Sequence, residues 1–324
     1  MQGHFSARES GGPTAGYAAK RPFIRVTEIW VPDEDGALAL KDGLYGALDD
    51  FERVSRATRF AYNEGLPGKA WASGRPIVLK DLVGSYFKRG AAAEAAGLTC
   101  AVAVPVFRGG ALMAVLVLFC GEDREHIGAI EVWHTPKNSY EMGLVDGYYG
   151  TAEVFEWTAR HINFMKGSGL PGQTWANDAP VVFADLRAPR FLRWEKAEEV
   201  GITRGVGIPI ATPQAGVYVL TLLSALATPI ARRFEVWTLV GDGLSLTDGF
   251  CEEAGLLGAA PLRLALGEGT IGKAADSGLP AVSADLTVEP DVIASTARFA
   301  RLDTLVALPI HRDDGLAAVA VWYL

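Results

Sequence analysis

Three cysteines in 324 residues are too few, and odd in number, for a disulfide framework. A reducing cytoplasm is their natural setting. The five histidines, His4, His126, His134, His161 and His311, stand far apart and show no metal-ligand spacing. Basic residues are in deficit, 30 against 38 acidic ones, and the net charge of −8 argues against general affinity for nucleic acid or an anionic membrane. The start of the chain lacks an apolar core. Met1 to Lys20 is rich in Gly, Ser and Ala, which excludes a signal peptide or anchor, and residues 1–22 read as a disordered tail. Long apolar runs are missing too, with one exception. Gly205 to Ala231 carries no charge, but Pro209, Pro213 and Pro229 interrupt it, so it reads as two buried strands and not as a membrane helix. No Ser-His-Asp order or paired-carboxylate motif stands out, and no catalytic residue is assigned.

What the chain does have is a threefold internal echo in an ordinary globular composition, 49% apolar and 21% charged. Gly65-Leu66-Pro67-Gly68, Trp71, Gly74, Pro76 and Asp81-Leu82 return as Gly169-Leu170-Pro171-Gly172, Trp175, Pro180 and Asp185-Leu186. A weaker version follows as Gly269-Thr270-Ile271-Gly272, Gly278, Pro280 and Asp285-Leu286. Pro67 suits the first position of a short helix, where its missing N–H costs nothing. Gly74 suits the left-handed residue that ends it, and Ile77-Val78-Leu79 is an apolar run of strand length. The phrase therefore reads as loop, short helix, strand.

Opening strands set the period: Glu28-Ile29-Trp30, Glu131-Val132-Trp133 and Glu235-Val236-Trp237, with the glutamates 103 and then 104 residues apart. Each is followed by a turn and a second strand, a hairpin signal, and then by Asp42-Gly43, Asp146-Gly147 or Asp248-Gly249. Residues 51–60 and 155–164 read as short amphipathic helices, and 86–96 as a longer one closed by Gly97. The distances from Asp81 to Pro105, Asp185 to Pro209 and Asp285 to Pro309 are all 24 residues. A period near 100 residues is too long for a solenoid and implies whole domains in tandem.

These residues resemble the GAF domain, a small sensory module of signalling proteins. The strongest stretch runs from Gly65-Leu66-Pro67-Gly68 through Trp71, Pro76 and Asp81 to Gly97-Leu98 and the strands around Pro105. The third repeat departs, with Ile271, Ala275 and Arg301 in place of Pro, Trp and Gly. The resemblance implies an α+β fold of three tandem GAF-like domains, each an antiparallel sheet flanked by helices with a small-molecule pocket over one face. The domains are 23–124, 125–228 and a degenerate 229–324. It implies a cytoplasmic, non-enzymatic sensory or small-molecule-binding protein, with homodimer formation or a signalling-protein partner as further associations. No kinase, cyclase or DNA-binding output segment is recognisable. The links at 121–129 and 225–233 are short. They leave open an exchanged pairing in which the last strand of one repeat joins the first strand of the next, and 316–324 closes against 26–31.

Aromatic and charged residues near the implied pockets are the expected ligand-binding set: Tyr45, Phe60, Trp71, Phe87, Lys88, Arg89 and Cys100, then Tyr149, Phe164, Trp175, Phe191 and Trp194. The cofactor stays open, because no cysteine is followed by histidine, as a bilin site needs, and no Asn-Lys-Phe-Asp-Glu signature of cyclic-nucleotide sites is present. Gly167–Gly172 and Gly267–Gly272 match G-x-G-x-x-G but lack a parallel βαβ setting. Two alternatives remain. One is a redox enzyme of the free methionine sulfoxide reductase type using Cys100 and Cys120, which bracket a hairpin. The other is an interaction scaffold whose pockets are filled by side chains.

Overall fold

The structure, a computed structural model, describes residues 22–121, 126–187, 190–213, 216–225, 228–252, 262–313 and 315–324. The tail expected to be disordered, apart from Pro22, lies outside the described residues. The first repeat comprises β1 (Ile24–Pro32), β2 (Leu38–Leu44), α1 (Asp49–Arg56), β3 (Arg59–Phe60), α2 (Gly65–Ser73), β4 (Ile77–Leu79), α3 (Gly90–Ala95), β5 (Leu98–Arg108) and β6 (Ala111–Gly121). In the second come β7 (Ile127–Thr135), β8 (Glu141–Gly150), α4 (Glu153–Arg160), β9 (Phe164–Met165), α5 (Gly169–Asn177), β10 (Val181–Phe183), α6 (Trp194–Glu199), β11 (Ile202–Ile210) and β12 (Val217–Ala225). The third contains β13 (Arg233–Val240), β14 (Gly243–Cys251), β15 (Arg263–Ala265), α7 (Gly269–Ser277), β16 (Ala281–Ser283), a 3-10 turn at Leu286–Val288, α8 (Asp291–Phe299), β17 (Leu305–Arg312) and β18 (Gly315–Tyr323).

The repeated phrase has a steric cause. Gly65, Gly169 and Gly269 begin their helices at φ of 56, 60 and 60°, in the left-handed region that glycine adopts freely. Three residues on, a Cβ at Gly68, Gly172 or Gly272 would run into the carbonyl oxygen of Ala61, Met165 or Ala265. The preceding loop folds back there, with Asn63, Gly167 and Gly267 donating their N–H to those glycines' carbonyls. Pro67 stands third in α2 and not first, still within the turn whose N–H groups have no helical partner. Gly74 ends the helix at φ 62°. Asp81 accepts from the N–H groups of Val83 and Gly84, Asp185 from Arg187, and Asp285 from Thr287, so each bends the chain after its strand.

Three expected helices are shorter than their periodicity suggests. α1 stops at Arg56 and α4 at Arg160, because Phe60 and Phe164 are needed as edge-strand residues whose rings pack on Trp30 and Trp133. α3 begins only at Gly90, since Ser85 binds the Phe87 N–H in a turn ahead of it. The uncharged stretch forms β11 and β12, as expected. Among the described residues no helix is long and apolar enough to cross a membrane.

The sheets are antiparallel throughout, in the orders β3-β2-β1-β6-β5-β4, β10-β11-β12-β7-β8-β9 and β15-β14-β13-β18-β17-β16. First and last strands pair within each repeat: Thr27 faces Leu118, Ile130 faces Leu222 and Phe234 faces Trp322. The exchanged pairing that the short links left open is therefore corrected. The His126 ring meets the Gly121 carbonyl, and the Thr228 hydroxyl bonds both the N–H and the carbonyl of Ile127, which turns β7 away from β6 and onto β12.

Both faces of every sheet are covered, which is why β5, β6, β11 and β12 read as near-continuous apolar runs. One face of each packs beneath that repeat's own helices. In the first repeat this core holds Trp30, Phe51, Phe60, Leu66, Ala101 and Phe119. The other face of all three sheets meets in a single shared core, containing Val104 and Leu116, then Ile208 and Leu220, then Leu308 and Trp322. At one end of this core Pro105, Pro209 and Pro309 surround a common dimple. The edges follow a cyclic rule: β4 lies against β8, β10 against β14 and β16 against β2. The chain is thus a closed ring of three repeats with approximate threefold symmetry.

Candidate functional site

In the first repeat, the side of the sheet beneath the helices centres on an ion pair. Glu28 projects from the middle of β1, and Arg89 enters from the residue before α3. Glu28 is fully buried and Arg89 is 3% exposed. The guanidinium donates to both carboxylate oxygens at 2.5 and 2.8 Å, and also to Ser55 on α1. Trp30 Nε1 and the Tyr45 hydroxyl donate to the same carboxylate at 2.8 and 3.1 Å. Around the guanidinium stand the rings of Trp30, Phe51, Phe60, Phe87 and Phe119, 4.9–5.7 Å away. Burial first, and then the Glu28 carboxylate, push the Tyr45 phenol far above its ordinary range.

The second repeat builds the same centre. Arg193 donates to Glu131 at 2.6 and 2.8 Å, with Trp133 and Thr221 also bonded to the carboxylate. Trp133, Phe155, Phe164 and Phe191 surround it at 4.5–5.8 Å. The third repeat reaches it by another route. Its position before α8 is Pro290, which has no cation to offer, and Arg233, two residues ahead of Glu235 on β13, supplies the guanidinium instead. Trp237 and Tyr323 complete the carboxylate's bonds at 2.8 and 2.7 Å, and Thr296 of α8 takes a bond from Arg233. Taking two such charges out of water costs several kcal/mol per ion, and only this dense bonding offsets it.

The expected ligand-binding residues divide. Tyr45, Phe60, Phe87 and Arg89 meet around Glu28, and Tyr149, Phe164 and Phe191 lie in the matching core of the second repeat. Trp71 lies apart, half-buried on α2 against Tyr62, and Lys88 pairs with Glu64 at the surface. Trp175 lies beneath Lys166. Cys100 faces the other way: it is the cross-strand partner of Cys120, and both thiols are fully buried in the core shared by the repeats. The alternation of β5 decides this, because Ala101 and Ala103 point toward the helices and Cys100 and Val102 point away. His161 stacks on Trp157 at the solvent-facing end of α4. Among the described residues no group of three metal-type side chains comes together.

Trp194 borders a cavity of about 430 Å³ with Asp185, Arg187, Glu198, Thr203 and Arg204. Arg187 holds Asp185 in a two-pronged ion pair, and its guanidinium and then its N–H keep the Asp185 carboxyl down at about 2. Because the folded value lies below the unfolded one, the pair's contribution to stability is complete above about pH 4 and is lost as pH falls toward 2. Asp185 is therefore expected to remain largely ionised at about pH 3, and Arg187→Ala to return its midpoint to the ordinary carboxylate range, as read by carbon-detected NMR titration.

Glu28, Glu131 and Glu235, the centres of the three interiors, are the residues that sequence reasoning passed over except as period markers. A charged residue two places before a tryptophan in an otherwise apolar strand was their signal.

A sequence profile of the GAF domain family matches residues 24–133, from β1 through β6 and into β7. A comparison with curated proteins finds no match. Solved structures with similarity include a free methionine-R-sulfoxide reductase from Neisseria meningitidis in complex with its substrate, 19% identical over 30% of this chain and 52% of that one, TM-score 0.24. A GAF domain/HD domain protein from Geobacter sulfurreducens is 17% identical over 31% of this chain and 65% of that one, TM-score 0.27. The NreA protein of Staphylococcus aureus, mutated in its nitrate binding site, is 15% identical over 31% and 75% of the two chains, TM-score 0.27. This chain thus spans between half and two thirds of the first two. The first repeat matches the GAF domain profile, and the thrice-repeated glycine phrase and the three antiparallel sheets with first and last strands paired fit three tandem GAF-like repeats.

Proposed function

We propose that this protein is a non-catalytic binding protein of the sensory GAF type, acting as one ring in which the repeat interiors are packed cores and small molecules are received outside them. The observation that carries this reading is the Glu–Arg pair at the centre of each interior, caged by rings. A ligand entering there would have to separate the buried charges, leaving each without its partner in an apolar surrounding. Tyr45, Phe60, Phe87, Arg89, Tyr149, Phe164 and Phe191 then serve packing, while Trp194 borders the cavity beside Asp185. Thiol chemistry has no comparable support, since a sulfoxide would have to reach Cys100 and Cys120 through the shared core. Their burial as thiols suits a cytoplasmic setting.

The test is titration with nitrate, cyclic GMP and methionine sulfoxide, followed by tryptophan fluorescence and melting temperature. Trp30, Trp133 and Trp237 each bond the central carboxylate and report any entry. No saturable change is expected. A saturable shift that disappears in Arg89→Met or Arg193→Met would overturn the reading.

A further inference from the structure

The second repeat carries two residues that its neighbours lack. Trp194 follows the buried Arg193 at the start of α6, where the first repeat has Gly90 after Arg89, and α8 of the third contains no tryptophan. Arg204 stands five residues ahead of Pro209, where the other repeats have Cys100 and Thr304 ahead of Pro105 and Pro309. Both residues border the cavity of about 430 Å³ between α6, the start of β11 and the bend after β10. That is room for about fourteen waters at about 30 Å³ each, or for a compact organic molecule.

The charges of the lining sort into a closed pair and two open groups. Arg187 and Asp185 are bonded to each other by both prongs of the guanidinium. Glu198 and Arg204 take part in no ion pair among the described residues. Glu198 is exposed and stands four residues after Trp194, so one face of α6 presents a ring and a carboxylate side by side. Arg204 comes from β11. Its guanidinium lies over the Phe250 ring at 5.0 Å, and its Nε is buried with no hydrogen-bond partner. It acts on the Asp185 carboxylate only from a distance, well behind Arg187. The neighbouring Thr203 hydroxyl is likewise without a partner among the described residues, and Leu186 and Ile202 add apolar surface from the core. An arginine that rests on a ring and holds no carboxylate keeps its forked edge for a planar acceptor.

We propose that this cavity binds a free aromatic α-amino acid, with its carboxylate on Arg204, its ammonium on Glu198 and its ring against Trp194. A zwitterion answers one cation and one anion at once, whereas a simple acid would bring a second negative charge beside Glu198. Residues four apart on a helix have Cβ atoms about 5–6 Å apart, close to the separation of ammonium and ring within phenylalanine. The inference rests on the reading that small molecules are received outside the repeat interiors.

L-Phenylalanine is the probe, measured by isothermal titration calorimetry on the full chain. 3-Phenylpropionate, which lacks the ammonium, and phenethylamine, which lacks the carboxylate, are each expected to bind at least about tenfold more weakly. Glu198→Gln alters an exposed side chain and is expected to fold as the parent does. It should weaken phenylalanine at least about tenfold without weakening 3-phenylpropionate. Arg204→Met, which keeps an apolar cover on Phe250, should weaken both carboxylates and spare phenethylamine. Methionine sulfoxide, with no ring for Trp194, is expected to stay without effect. Intermolecular NOEs from the phenylalanine ring to the Trp194 indole of the unaltered protein give a readout that no variant's folding can obscure. Equal binding of 3-phenylpropionate, undiminished affinity in Glu198→Gln, or the absence of those NOEs would overturn the proposal. NOEs to Trp133 or Phe164 would instead overturn the closed-interior reading.

Discussion

Arg89→Met is expected to destabilise the protein by about 3–5 kcal/mol, although it removes a side chain far from any open surface. The reason is the partner left behind. Glu28 would keep its bonds from Trp30 and Tyr45 but would carry an unpaired charge among Phe51, Phe60 and Phe119. Met fills much of the arginine's volume, so the loss measures the charge and not a void. The double variant Glu28→Gln/Arg89→Met, in which no charge is stranded, is expected to recover most of the loss, because the Gln carbonyl still accepts from the indole while its NH2 can donate to the Tyr45 hydroxyl oxygen. A double-mutant cycle in urea should return a coupling of at least about 2 kcal/mol. A single-variant loss below about 1 kcal/mol would show that the pair does not hold the interior.

Trp322→Ala is expected to cost a comparable amount, about 3–5 kcal/mol, but its effect should spread. Trp322 is fully buried and lies parallel to Phe234, within the same core as Val104, Leu116, Ile208 and Leu220. A cavity there loosens sheets in three repeats at once. Hydrogen exchange followed by mass spectrometry should show lost protection in β6 and β12 as well as in β18. Trp71→Ala, on the half-buried outer side of α2, should affect its own repeat alone and cost less. Protection lost only in β17 and β18 after Trp322→Ala would mean that the repeats unfold separately.

Much of the repeat could be read in the residues. Gly65-Leu66-Pro67-Gly68 and its echoes encode a helix start by sterics that act within ten residues, and Asp81 bends the chain by bonding N–H groups two and three positions on. Such local causes leave local marks. The ring did not show, because no residue type marks a sheet face that meets another repeat. Val104 and Val115 are both apolar, yet the first faces the shared core and the second its own helices. The candidate site was half legible. Arg89 and the aromatics were recognised as belonging together, but their carboxylate lies 61 residues away on another strand, and only the fold brings the two into contact. Cys100 was misplaced by one step of strand alternation. Arg233 was invisible because the third repeat rebuilt the pair from a different element.

The closed ring also changes what a single mutation can do. In an assembly of three identical subunits, any change at an interface appears three times, and a void opened at one contact opens at all of them. Here each contact is written by its own stretch of one gene. Trp194 and Arg204 can differ from Gly90 and Cys100 without disturbing them, so one repeat is free to acquire chemistry while the other two remain structural. The order and number of the repeats are fixed by covalent bonds, and specialisation carries no risk of misassembly with the wrong neighbour.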